Sequence, residues 1–220
     1  MNRTLKALLL SVGLCSLPNL SFSAIVYDNL NTPDLGQQYF PAPATLEFGD
    51  QITLSGTERT ISQFSFYYFL SGTAASAQNV TLRFYANTGV TNSPAATALY
   101  TSDPIPVNLS FNTQTINFPL SSNLVTLPNT FTWTVQFSNL TAGQTGGLLL
   151  YGPPSSGSSF NDFWQKDGAG NWSTMTINGG ATLANFAAQV TAVPEPGVLA
   201  LGSLGALILA GLRRFRNASR

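Results

Sequence analysis

The sequence predicts an all-β protein, with a single β-sandwich or jelly-roll-like domain over residues 24–193 between two short apolar end segments. Three observations predict it. Apolar residues recur at every second position in short runs, and no run keeps a helical period. Clusters containing Gly, Asn and Asp punctuate the runs as turns. Charge is scarce: Asp, Glu, Lys and Arg make up 8% of 220 residues, against about 25% in an ordinary soluble domain.

Taken in order, a first strand is read over 24–30. Phe64, Phe66, Tyr68 and Leu70 alternate with Ser65, Tyr67 and Phe69, and Val80, Leu82 and Phe84 with Thr81, Arg83 and Tyr85. Ile105, Val107 and Leu109 give another strand, followed by Ile116, Phe118 and Leu120. The cleanest run sets Phe131, Trp133, Val135 and Phe137 against Thr132, Thr134, Gln136 and Ser138. A strand over 183–192 closes the domain, with Phe186, Ala188 and Val190 on one face. Turns fall at Asn87-Thr88-Gly89, Thr141-Ala142-Gly143 and Asp167-Gly168-Ala169-Gly170. One apolar and one polar face per strand is the pattern of antiparallel sheets with a single buried face. About ten such strands suit a sandwich or jelly roll, and the domain is long enough to bury a core without disulfides.

Composition excludes several kinds of chemistry. There is no histidine, and the one cysteine, Cys15, lies near the N-terminus. Disulfides, Cys/His zinc sites and His-dependent triads are therefore ruled out. Between 24 and 193 three cations (Arg59, Arg83, Lys166) face eight anions (Asp28, Asp34, Glu47, Asp50, Glu58, Asp103, Asp162, Asp167). Such a segment lacks the clustered cations that neutralise phosphates, so no nucleic-acid partner is expected.

The two ends read as addresses. In residues 1–23, Arg3 and Lys6 precede an apolar run over 7–17, Pro18 and Asn19 break it, and Ser21 and Ser23 supply small residues for cleavage before Ala24. That order is a secretory signal, the substrate of a signal peptidase. At the other end Pro194, Glu195 and Pro196 precede an uncharged run over 197–212, then a basic tail over 213–220 with Arg213, Arg214 and Arg216. A helix over 197–212 is about 24 Å long, short for a hydrocarbon core of about 30 Å but extendable by snorkelling arginines. Basic flanks stay cytoplasmic, so the domain is expected across the inner membrane, facing the periplasm.

This tripartite tail resembles the PEP-CTERM sorting signal that exosortases recognise in Gram-negative bacteria. The resemblance rests on Pro194, Glu195 and Pro196, the apolar segment and the terminal arginines, in the family's order. It implies a transient inner-membrane anchor, processing near the Pro-Glu-Pro motif by an exosortase-like membrane peptidase, and passage to the cell surface or exterior. A plain single-pass anchor is the alternative. More faintly, Tyr27-Asp28-Asn29, the stretch from Thr60 to Phe66, Val80-Thr81-Leu82-Arg83-Phe84-Tyr85 and Phe131-Thr132-Trp133-Thr134-Val135 are similar to choice-of-anchor extracellular β domains. That likeness implies architecture and no activity.

Within the domain two candidate sites stand out. Phe163, Trp164 and Trp172, with Phe160, flank a Gly-rich turn beside Asn and Asp, a composition suited to sugar binding because rings offer an apolar platform and amides take hydroxyls. Core or hairpin packing is the competing reading of the same rings. Asp162, Asp167 and Asn171 are weak candidates for a cation, because they supply hard oxygens but lack EF-hand spacing, and Asp-Gly is first a turn signal. No cofactor is expected, and no catalytic residues: without histidine, Ser and Thr lack the commonest general base. The sequence is thus read as an exported, non-enzymatic surface or matrix protein in an exopolysaccharide or biofilm setting. The alternative is a carbohydrate-binding module using the loop 160–172, with extracellular polysaccharide as partner.

Overall fold

The computed structural model describes residues 23–73, 78–89, 92–118 and 124–194. The export signal read over 1–23 lies outside them except for Ser23. The sorting tail lies outside them except for Pro194, so Glu195, Pro196, the 197–212 run, Arg213, Arg214 and Arg216 are not described. Among the described residues no helix is long and apolar enough to cross a membrane.

The regular structure of the described chain is almost all β and forms a sandwich-like pair of antiparallel sheets. The six-stranded sheet holds β1 (Ala24–Asp28), β2 (Asp34–Tyr39), β4 (Thr60–Ser71), β9 (Ser110–Asn117), β11 (Thr145–Tyr151) and β15 (Ala188–Val193). The nine-stranded sheet holds β3 (Glu47–Thr53), β5 (Gln78–Thr88), β6 (Ser93–Pro94), β7 (Tyr100–Thr101), β8 (Ile105–Val107), β10 (Thr130–Ser138), β12 (Ser158–Ser159), β13 (Phe163–Lys166) and β14 (Trp172–Met175). Residues Ser23–Val193 make one compact unit.

In the first sheet β4 is the hub. β9 runs along one flank, with Phe69 opposite Phe111 and Tyr67 opposite Thr113. The other flank is shared end to end by β15, where Ala188 faces Phe66, and β11, where Gly147 faces Phe69. β1 lies beyond β15, pairing Ala24 with Ala192. The buried Asn29 bolts this edge down, donating to the Phe186 carbonyl at 3.0 Å and accepting from the Ala188 amide at 2.6 Å. In the second sheet β10 is central, with Trp133 between Asp50 of β3 and Phe84 of β5.

Period two explains the core between the sheets. Phe64, Phe66 and Tyr68 point inward from β4 and meet inward rings of β5 and β10, with Phe64 5.0 Å from Phe84 and 5.3 Å from Trp133 between ring centres. Rings at such separations, tilted rather than stacked face to face, gain beyond their area burial. The outward faces, however, are not simply solvated. Phe69 and Tyr85, on the faces the alternation leaves polar, are buried as well, so each sheet carries a second, smaller packed layer.

Charge divides between the sheets. The strands of the first carry only Asp28 and Asp34, and those of the second carry Glu47, Asp50, Arg83 and Lys166.

Candidate functional site

The densest polar cluster among the described residues lies on the outward face of the nine-stranded sheet, and Glu47 is its centre. Registry brings the parts together: Lys166 of β13 is opposite Glu47 of β3, and Arg83 of β5 is opposite Thr134 of β10. Oε1 of Glu47 accepts from the Tyr85 hydroxyl at 2.8 Å and from the Thr134 hydroxyl at 2.6 Å. Its Oε2 faces the Arg83 guanidinium at 3.3 Å and the Lys166 ammonium at 3.8 Å. Two oxygens thus answer four donors, which fills the acceptor capacity of a carboxylate. Burial first, and the bond to Glu47 second, push the Tyr85 phenol well above its ordinary range.

The β13–β14 hairpin closes over this cluster. Lys166 and Trp172 are paired across it, and the Lys166 ammonium sits 5.0 Å from the Trp172 ring centre and 5.4 Å from that of Tyr85. Trp172 meets Tyr85 edge-on at 5.2 Å. A neighbouring network joins Gln51, Asn87, Thr132 and Trp164: Gln51 Oε1 accepts from the Asn87 amide at 2.8 Å and the Trp164 indole at 3.2 Å. The arrangement clamps a hairpin to a sheet.

The aromatics read as a sugar platform are separated by the fold. Phe163 is wholly buried in the core against Tyr39 and Phe186, so it offers no surface to a ligand. Trp164, its neighbour in the strand, points to the opposite face and is buried there, stacked on Phe160. Trp172 is half-buried on the same face, over Tyr85. The three rings therefore form no common exposed row.

The residues considered for a cation are accounted for by the turn. Asp167 Oδ1 accepts from the backbone amides of Ala169 at 2.9 Å and Asn171 at 2.8 Å, and Oδ2 from the Asn171 side chain at 3.1 Å. The Asn171 bonds, backbone before side chain, hold the Asp167 carboxyl below its ordinary range. Asp162 takes no part in the hydrogen bonds of this turn, and no group of acidic residues able to hold a metal occurs among the described residues.

A second polar site is one the alternation conceals. Asp50 points into the core. Its Oδ2 accepts from the Ser159 hydroxyl at 2.7 Å, while its Oδ1, the Trp133 indole N–H and the Tyr27 hydroxyl are buried without a hydrogen-bond partner among the described residues. Burial pushes the Asp50 carboxyl well above its ordinary range, with the Ser159 bond opposing. Asp50 was legible only as one of the eight anions of the segment; its inward direction follows from register. An open cleft of about 770 Å³ beside Tyr100 and Phe118 adds one carboxylate, Asp103, to apolar walls that include Leu99 and Leu124.

No family model matches the chain, and no curated protein or solved structure is significantly similar to it.

Proposed function

We propose that this chain is an exported, non-enzymatic surface or extracellular-matrix protein of a Gram-negative bacterium, sorted by an exosortase-like membrane peptidase. The observation that carries the reading is the order of its end: Pro194, Glu195 and Pro196, an uncharged apolar run, then Arg213, Arg214 and Arg216. Pro194 and Pro196 lack amide hydrogens, so a helix over 197–212 stops short of them and leaves an extended peptide that a protease can bind. Glu195 supplies an anion that a cationic pocket reads, and the arginines set the depth of that peptide. The domain suits the role: it is free of cysteine after residue 23, and its architecture is in keeping with a jelly-roll-like carrier module placed between an export signal and a membrane helix.

Pulse-labelling tests the reading. Wild type converts to a shorter, released form whose N-terminus is Ala24. Glu195→Ala, or deletion of Arg213, Arg214 and Arg216, leaves precursor in the inner membrane with export through the signal unaffected. Equal conversion in all three would reduce the tail to an anchor.

A further inference from the structure

The outward face of the six-stranded sheet carries an aromatic row whose buried centre, Phe69, belongs to the smaller packed layer and whose two ends are exposed. Phe111 of β9 stacks on Phe69 of β4 with ring centres 5.8 Å apart, and Phe40, just after β2, meets Phe69 edge-on at 6.0 Å. Glycine makes the row continuous. A Cβ on Gly147 of β11 would strike the Phe69 ring and the Tyr39 carbonyl, so the ring lies across a strand that presents no side chain there. Phe69 itself is 1% exposed, while Phe111 and Phe40 on either side are 59% and 45% exposed. One row along, Tyr67 meets Tyr151 at 6.1 Å. Tyr151 also walls an open groove of about 350 Å³ with Gln37, Thr182 and Asn185.

The rest of this face is polar and uncharged. Ser65 bonds Thr115 at 2.9 Å, Ser71 bonds Thr145 at 2.7 Å, and Gln63 donates to Asn117 at 3.0 Å. The only charges on the sheet's strands are Asp28, which is buried, and Asp34, at the Tyr151 end. Exposed rings grouped on one face of a secreted-type surface mark an interaction site. Rings that offer a flat apolar patch, flanked by hydroxyls and amides and lacking countercharge, match a polyol whose C–H faces stack and whose hydroxyls exchange hydrogen bonds.

We propose that this face binds a neutral polysaccharide, laid across the exposed rings of Phe111 and Phe40, which the buried Phe69 holds in place between them, toward Tyr151. With successive ring centres 5.8 Å and 6.0 Å apart, the outer rings lie at most about 12 Å from each other, which suits a short run of linked sugars better than one. A second copy of the chain fits less well: two exposed rings and a polar rim fall short of the roughly 800 Å² per partner that a stable dimer buries. The proposal stands independently of the sorting tail.

Native gels cast with dextran, laminarin or hydroxyethyl cellulose, and with alginate as the charged comparator, test it on the full chain in mild detergent. At least one neutral glucan retards the wild type, and raised salt leaves the shift intact because no charges are screened. Phe111→Ala and Phe40→Ala lose the shift while keeping wild-type Trp fluorescence, and Leu99→Ala, exposed elsewhere, keeps it. The proposal is overturned if no neutral glucan retards the chain, if both ring variants shift like wild type, or if only alginate acts and salt abolishes it. It is equally overturned if Phe111→Ala abolishes a dimer in light scattering and no glucan binds.

Discussion

Asp50 stands directly opposite Trp133 across the β3–β10 pair, with both side chains turned into the core. One carboxyl oxygen accepts from the Ser159 hydroxyl, and the other is buried without a hydrogen-bond partner among the described residues. Burial of a charge is far more costly than burial of a neutral acid, so the fold favours the protonated form of Asp50 and raises its pKa.

The first prediction follows from that proton. Because the folded pKa of Asp50 is raised above the unfolded value, its contribution to stability is whole below the unfolded pKa and is lost as pH rises through the folded one. Thermal melts from pH 4 upward should show stability falling with pH by this term. Tyr27, raised from an already high value, stays protonated through that range. Asp50→Asn keeps the shape without the charge, so it should melt higher than wild type at pH 8 and differ least at pH 4. Parallel melts of the two at every pH would defeat the idea.

Trp133 is the largest fully buried side chain and touches Phe64, Phe66 and Phe186. Trp133→Ala should cost about 3–5 kcal/mol in denaturant unfolding. That approaches the whole stability of an ordinary domain. A loss below about 1 kcal/mol would mean that the two sheets do not meet through this ring.

Glu47→Ala strands two hydroxyls and two partly exposed cations at once. Since Arg83 and Lys166 are about a fifth exposed, water relieves part of the loss, and roughly 2–3 kcal/mol is expected. Hydrogen exchange should locate the effect: amides of the β13–β14 hairpin lose protection ahead of those in β4 and β15. Uniform loss across both sheets would show that the cluster is not a local clamp.

Gly49 and Gly168 make a matched pair. A Cβ at Gly49 would collide with the Trp133 carbonyl and the Thr134 backbone, whereas one at Gly168 meets nothing within 4 Å. Gly49→Ala should therefore destabilise by about 1–3 kcal/mol through forced separation of β3 and β10. Gly168→Ala should stay within about 0.5 kcal/mol of wild type. Urea midpoints that move equally would discredit the close approach.

Legibility in the sequence depended on how each strand is buried. β4, β5 and β10 announce themselves because inward Phe, Val and Leu alternate with smaller or polar residues. β11 has no such alternation: Leu148 and Leu150 enter the main core while Leu149 packs on the outer layer, so a continuous apolar run gives no period. β3 reads as a polar turn because Glu47, Gly49, Asp50 and Gln51 are the residues that build the outer clamp, permit close strand approach and occupy the core. The strand read through Ile116, Phe118 and Leu120 is the end of the edge strand β9, which stops at Asn117 with Ile116 facing the core and Phe118 buried just beyond it, while Leu120 lies outside the described residues. The outward Phe111 at the other end of β9 belongs to the aromatic row. As for the loop aromatics, Phe163 and Trp164 are adjacent in a strand, and neighbours in a strand point to opposite faces. A shared platform was excluded by that spacing once the segment was known to be β13.

The position of β15 has a mechanical meaning. It is paired on both sides, with β1 and with β4, and it ends at Val193, the last residue before Pro194. Tension entering from the carboxyl side therefore runs along this strand, and its two rows of interstrand hydrogen bonds, roughly perpendicular to the pull, share the load in shear instead of parting one at a time. Were β15 an edge strand, the same tension would need to break only one row. The domain is strung so that the strand nearest the tail is among those hardest to draw out.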